Sequence, residues 1–280
     1  MNYRHVYHAG NFADLLKHAV LTELLRALTG SRPPLTVIDT HAGAGLYDLE
    51  GGEAQRTGEG VAGIGRLMAA RDAPTVFDDL KAAVARANQP GAVRFYPGSP
   101  LVIAGKLRPR DRYIGCEFRA DDFTALRASM SREGVAVILK GDGWAIAADR
   151  APKSPASLLL LMDPPFERGD DAEQAIRLSR MVLKRNPPAV IAVWVPIKDL
   201  TGFDALVTAF ADATAPAPMM VAEVRLRPLN DPMKMNGCAM IVANPPPGLD
   251  ERSELAAAWI ARTLGETGGS GRVERLALSR

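Results

Sequence analysis

The sequence predicts an α/β fold built on a mostly parallel sheet, and three observations carry that expectation. Between about residues 99 and 210, short apolar runs alternate with stretches of helical period, the pattern of a doubly wound parallel sheet. Two later runs, "MMVAEVRLRP" and "GCAMIVAN", are joined by a loop alone, which suits an antiparallel hairpin at the sheet edge. Glycines and acids cluster where the apolar runs end.

Residues 11–29, "NFADLLKHAVLTELLRALT", predict a helix, with Phe12, Leu15, Leu16, Ala19, Leu24, Leu25 and Leu28 at helical spacing. Asn11 is a natural cap and Gly30 a natural stop. "LTVID" is a buried-type strand running straight into "THAGAG". Residues 47–95 change character: Gly-rich and charged first, then amphipathic around 60–71 and 76–88, a small helical insertion in an otherwise single domain over 1–280. A helix over about 99–106, strand "RYIGCE", a helix over 121–131 and strand "VAVILK" follow. "GDGW" opens a short helix, strand "SLLLLM" ends in Asp163, and a helix covers about 172–184. Strand "AVIAVWV", a helix near 203–210, the edge hairpin, a helix near 255–264 and a Gly-rich basic tail complete the chain. That makes seven strands.

The 280 residues are 47% hydrophobic and 24% charged, which is ordinary for a soluble protein and enough to bury a substantial core. A net charge of +2 permits a nucleic-acid partner without requiring one. Cys116 and Cys238 lie far apart in apolar runs, so buried thiols in a reducing compartment are expected rather than a disulfide framework. "MNYRHVYHAGNFADLLKH" lacks a signal-type apolar core, and no apolar run approaches the ~18 residues of a membrane span. A cytoplasmic protein with no membrane contact is expected, as a monomer.

In such sheets ligands bind beyond the carboxyl ends of the strands. There stand "DTHAGAG" (39–45), Glu117, "GDG" (141–143) and Asp163. Gly43 and Gly45 let the backbone approach a ligand closely, and an acid at Glu117 suits ribose hydroxyls. Together they point to a cofactor containing ribose and adenine. A dinucleotide fingerprint needs its glycines at a helix start and its acid ~20 residues on, whereas here the glycines precede an insertion and Glu117 lies far beyond Gly45. No GK[ST] phosphate loop is present. S-adenosyl-L-methionine, with no pyrophosphate to cradle, remains.

"DTHAGAG" resembles the glycine motif of class I methyltransferases, and "DPPF" (163–166) the motif of those that methylate exocyclic amines. With "YRHVYHAGNFADLLKH", "RTGE", "YPGSP" and the late "NPP", the chain resembles, over nearly its full length, the bacterial 23S ribosomal RNA adenine-N6 methyltransferases. The resemblance implies a Rossmann-like class I methyltransferase fold, S-adenosyl-L-methionine as cofactor and 23S rRNA as partner. Phe166 stands where that family usually has tyrosine, keeping the ring and losing the hydroxyl. The motif suits the chemistry. An adenine N6 lone pair is delocalised into the ring, and acceptors for both amino hydrogens would favour a tetrahedral nitrogen as the methyl arrives. Asp163 and the Pro164 carbonyl are the candidate acceptors, and Phe166 the candidate stacking ring. DPPF can also be a bare strand terminator, because prolines cannot donate ladder hydrogen bonds. "NPPP" (244–247) lacks an aromatic and is expected to be only a strand end.

All four histidines lie in the first 41 residues. A structural zinc site usually joins cysteine to histidine, and none joins these, so no metal is expected. His5 and His8 have a core or surface role open to them. For His18, His41, Ser99, Glu117, Asp142, Gly143 and Asp163 the resemblance implies cofactor contacts. Ser99-Pro100 is equally an ordinary helix cap, and a helix N-terminus can hold a carboxylate. Tyr3 and Arg4 belong to a terminal segment that could close over the site or touch RNA, or simply be disordered. Arg4, Arg56, Arg66 and Arg71 are candidate phosphate contacts. The alternatives are a DNA adenine methyltransferase, a glutamine-modifying protein methyltransferase, against which Asp163 argues, and a non-catalytic RNA-binding protein.

Overall fold

A computed structural model describes residues 5–31, 33–229 and 235–276. After a 3-10 turn at His5–Tyr7 comes α1 (Phe12–Thr29). Its cap is the expected one: the Asn11 side chain accepts from the Ala13 and Asp14 amides at 2.9 and 3.1 Å. Every residue from Phe12 to Leu25 is buried, so α1 is a core helix, and its charged residues Asp14, Lys17 and Glu23 must be paired inside the protein.

β1 (Leu35–Asp39) leads through the glycine loop to β2 (Leu46–Asp48). Next come α2 (Gly52–Gln55), a π-helical turn (Val61–Gly65) continuing into α3 (Arg66–Ala69), and a 3-10 turn (Thr75–Phe77) continuing into α4 (Asp78–Ala87). β3 (Phe95–Pro97) then pairs antiparallel with β2, Tyr47 opposite Tyr96. This pair was not legible in the sequence, because strands of three residues carry almost no periodicity. The π turn docks on the start of α1: the Ile64 amide donates to the Gly10 carbonyl at 2.8 Å, and Glu59 accepts from Asn11 Nδ2 at 2.9 Å.

The remaining elements are α5 (Ser99–Ala104), β4 (Arg112–Glu117), α6 (Ala120–Ser129), β5 (Ala136–Lys140), α7 (Gly143–Arg150), β6 (Ser157–Met162), α8 (Asp171–Arg185), β7 (Val190–Ile197), α9 (Leu200–Thr214), β8 (Met219–Arg225), β9 (Gly237–Ala243), α10 (Leu249–Leu264) and β10 (Ser270–Leu276). The main sheet runs β10-β8-β9-β7-β6-β1-β4-β5. β5, β4, β1, β6 and β7 are parallel, while β9 runs antiparallel between β7 and β8. This is the expected Rossmann-like class I arrangement with one correction: the sheet has eight strands, not seven, and β10, not the β8–β9 pair, forms its edge.

β10 escaped the sequence reading because "SGRVERL" presents no apolar face. Pairing with β8 and side-chain charge pairs hold it instead, Arg272 to Glu223 at 3.1 Å and Arg275 to Asp250. Charges on an edge strand also discourage pairing with other chains. The central strands show the two-residue period of a sheet covered on both faces. Leu159 and Leu161 join the cluster under α1, α5 and α10, and Leu158, Leu160 and Met162 the one under α7, α8 and α9. Cys116 and Cys238 are both free and buried. Asn244 of "NPPP" ends β9 in the left-handed region (φ 54°) and donates to the Pro187 and Ala189 carbonyls at 2.7 and 2.8 Å. It closes the sheet end where β7 begins, as a strand terminator should. Among the described residues no helix is long and apolar enough to cross a membrane.

Candidate active site

From β1 the chain passes to β4 and β5 on one side and returns to β6 on the other, so the loops leaving β1 and β6 diverge. Such a switch point opens a crevice at the carboxyl ends of the strands. A cavity of about 780 Å³ lies there. It gathers residues from all four expected strand ends: Gly43, Glu117, Asp142 and Asp163.

The glycine loop wraps the end of β1. Gly43 has φ +64°, the left-handed region that favours glycine, and its amide donates to Glu117 Oε2 at 2.9 Å. Glu117 Oε1 accepts from the Arg119 amide at 2.7 Å, so both carboxylate oxygens are pinned at the end of β4. Burial nevertheless raises its carboxyl above the usual value, the backbone donors opposing it. Beside it Phe118 lines the cavity while 68% exposed, a large apolar face left open at the wall. Asp142 caps α7, accepting from the Trp144 amide at 3.0 Å. A Cβ on Gly143 would lie 1.9 Å from the Thr40 carbonyl, so only glycine lets α7 start this close to the loop after β1.

Ser99 corrects one expectation. The cap of α5 is Gly98, with no side-chain capping bond, and the Ser99 hydroxyl donates to Asp39 Oδ2 at 2.7 Å. Asp39, fully buried at the end of β1, also accepts from Tyr113 Oη and from the His41 amide, both at 3.3 Å. Burial pushes its carboxyl up to about 6, the Ser99 bond opposing. His41 shares a hydrogen bond with Thr40 Oγ1 at 2.8 Å and meets the Trp144 ring edge-on at 4.8 Å. Burial lowers its imidazole to about 4.

These two groups set opposite pH slopes. Asp39 has a folded value above its unfolded one, so its contribution to stability is lost as pH rises from about 4 to 6, about 3 kcal/mol across that window. His41 is neutral in the fold, so its contribution is lost as pH falls from about 6.5 to 4. Relative to wild type, Asp39→Asn should therefore gain melting temperature as pH rises from 4 to 6.5, and His41→Asn should lose it. Parallel curves for the two variants in thermal melts at several pH values would refute this assignment.

Asp163 follows β6 with Pro164 and Pro165, and all three line the cavity. The structure adds a partner that sequence reasoning missed. Lys17 Nζ, almost fully buried on α1, donates to Asp163 Oδ2 at 2.6 Å and pairs with Asp14 Oδ1 at 2.8 Å. The other Asp14 oxygen accepts from the Gly10 amide at 2.8 Å. Burial alone would lower the Lys17 ammonium, but Asp14 and Asp163 hold it well above the usual lysine value. A signal was available: a lysine and an aspartate three residues apart among leucines of an otherwise apolar helix need an internal partner.

Three expected residues lie outside the cavity lining, the first being Gly45, whose carbonyl accepts from the Gly98 amide at 2.8 Å. His18 is fully buried, its Nδ1 2.6 Å from Tyr96 Oη with the rings stacked, so it braces α1 against β3. Phe166 packs with the apolar cluster under α7 and α8, its ring 6.3 Å from that of Trp194, which does line the cavity. Phe166 holds φ +50°, a strained backbone position for an aromatic residue that the surrounding packing must hold in place. Also in the lining, His8 Nδ1 pairs with Glu59 at 3.0 Å, which raises the imidazole. Of the candidate phosphate contacts, Arg66 lines the cavity, Arg56 and Arg71 are exposed and do not line it, and Arg4 lies outside the described residues, as does Tyr3 of the terminal segment. Among the described residues no cluster of three or more His, Cys, Asp or Glu could hold a metal ion.

Comparison with known proteins agrees with this geometry. Residues 32–277 match the family described as Ribosomal RNA large subunit methyltransferase D, RlmJ. Ribosomal RNA large subunit methyltransferase J of Escherichia coli (strain K12) is 31% identical over 264 residues, covering 94% of each chain. The Haemophilus influenzae protein of the same name is 32% identical over 276 residues, covering 98% of each. Among solved structures, protein LPL1258 from Legionella pneumophila superposes with a TM-score of 0.88 at 25% identity, covering 95% of this chain and 98% of that one. A match of this extent, with the strand-end residues gathered in one cavity, decides the matter: the chain belongs to the RlmJ family of ribosomal RNA large subunit methyltransferases.

Proposed function

We propose that the protein transfers a methyl group from S-adenosylmethionine to N6 of an adenine in 23S ribosomal RNA, acting as a cytoplasmic monomer. One observation carries this reading: Asp163 and Pro164 stand in the same cavity as the Gly43 loop and Glu117. The cavity fits such a cofactor. Glu117 is an acceptor for ribose hydroxyls, the open Phe118 ring offers a face for adenine, and Asp142 and Gly143 complete that wall. Asp39 and Ser99 support the loop that would hold the methionine end. Bound there, S-adenosylmethionine supplies an electrophilic methyl on a positively charged sulfur.

The chain's own residues would do the rest. Lys17 holds Asp163 Oδ2, which fixes the carboxylate and leaves Oδ1 to accept one N6 hydrogen. The Pro164 carbonyl would accept the other, and the two prolines with the strained Phe166 keep the turn rigid. Acceptors already in place need no reorganisation as charge develops on nitrogen. Residues 47–95 serve in this reading as a helical subdomain inserted in a single methyltransferase domain, anchored through Glu59 and Ile64 to the helix that carries Lys17.

Radiolabelled methyl transfer to total RNA, DNA and protein tests the substrate class, and mass-spectrometric mapping of N6-methyladenine in rRNA tests the position on the base. Calorimetry tests the cofactor. Glu117→Ala should weaken binding of S-adenosylmethionine and its demethylated product about tenfold or more, since a hydrogen bond to a charged group is worth about 1.5–3 kcal/mol. Folded wild-type protein that binds neither compound would refute the cofactor assignment.

A further inference from the structure

We infer that the carboxyl half of β7 is the wall against which the substrate nucleotide lies, with Trp194 facing the base and Lys198 a neighbouring phosphate. The inference rests on the RNA-methylation reading above and names the surface that reading lacks. Along β7 and just past its end, Trp194, Pro196 and Lys198 line the cavity, while the intervening Val195 and Ile197 are fully buried in the cluster on the other face of the sheet. Side chains alternate across a strand, so an aromatic ring, a proline and a cation form one continuous strip. The strip faces the same cavity as Asp163 and Pro164.

Each end of the strip suits one part of a nucleotide. Trp194 presents a ring to the cavity while Phe166, the aromatic of DPPF, is turned into the apolar cluster. The two rings meet at 6.3 Å and 58°, and Trp194 packs against the buried cluster that contains Cys238, so the indole is held between that cluster and Phe166. A fixed aromatic face beside acceptors for an amino group suits a base approached from its edge and its flat side at once. Three arginines of the lining are paired, Arg119 with Asp122 at 3.1 Å, Arg168 with Asp170 at 3.1 Å and Arg227 with Glu266 at 2.7 Å, whereas Arg66 and Lys198 are exposed, and of these two only Lys198 continues the strip. Lys198 is exposed and has no side-chain partner among the described residues, as expected of a cation whose partner is a phosphate of the substrate.

The test compares wild type with Trp194→Leu, Trp194→Phe and Lys198→Gln, using adenosine, an unmodified 23S rRNA transcript and the demethylated cofactor product as ligands. Trp194→Leu keeps apolar volume behind the strip but removes the π face. It should weaken adenosine binding and raise KM for rRNA about tenfold to a hundredfold, the range for loss of one stacked base. Trp194→Phe should recover most of both. Lys198→Gln, at an exposed position where folding is not at stake, should leave adenosine binding alone and flatten the salt dependence of rRNA binding by up to about one unit of slope. Binding of the cofactor product should stay at the wild-type level in all three. Folded Trp194→Leu with wild-type adenosine affinity and KM would overturn the base wall, and an unchanged salt slope in Lys198→Gln would overturn the phosphate contact. Wild-type protein that holds the cofactor product but neither binds nor methylates rRNA would overturn the RNA reading, and this inference with it.

Discussion

Asp163→Ala is expected to lower kcat about 10²–10³-fold, the usual cost of removing one pre-placed electrostatic group. The carboxylate would act on the amino group only as the methyl arrives, so KM for RNA should move far less than kcat. Some loss of cofactor affinity is compatible, since Asp163 borders the same cavity as Glu117 and Asp142. Folding should survive, because Lys17 keeps Asp14 at 2.8 Å and is not left as an unpaired buried charge. A strand terminator predicts the reverse pattern, a lower melting temperature with near-normal turnover. Steady-state and single-turnover kinetics on folded Asp163→Ala decide the point, and activity within tenfold of wild type would reduce DPPF to a turn.

Lys17→Met should have the largest effect on stability. Lys17 stands between Asp14 and Asp163, whose side chains are only 3% and 15% exposed, and removing it leaves two carboxylates facing each other in the interior. Breaking one partner out of a buried ion pair costs about 3–5 kcal/mol. For a chain of this size that is roughly 6–20 °C of melting temperature. The cost comes from stranded charge, so it should be recoverable: Asp14→Asn combined with Lys17→Met should regain most of the loss. Methyl transfer should stay low in the double variant, because Asp163 still lacks the donor that fixes its Oδ2. Denaturant melts with kinetics on both variants separate the two roles. Lys17→Met with wild-type stability and turnover would show that the 2.6 Å contact does neither job.

The sequence by itself determined the parallel core of the sheet, the capped first helix and the family. These follow from local regularities: apolar runs of strand length, helical spacing from Phe12 to Leu28, and contiguous motifs such as "DTHAGAG" and "DPPF". It also placed Gly43, Glu117, Asp142 and Asp163 at strand ends, because in a doubly wound sheet the end of a strand is a position in space as well as in the chain. Only tertiary structure decided which side chains meet there. Lys17 is 146 residues from the aspartate it holds, and Ser99 is 60 residues from Asp39. No window of sequence contains such pairs, and a buried lysine shows its need for a partner without showing which one. The rings of Phe166 and Trp194 make the same point. Their residue types were visible, but the left-handed turn at Phe166 and the register of β7 decide which faces the cavity. β10 lay beyond local reading for the opposite reason: its cohesion is backbone pairing and charge pairs with residues of β8 and α10, which leave no apolar period along the strand itself.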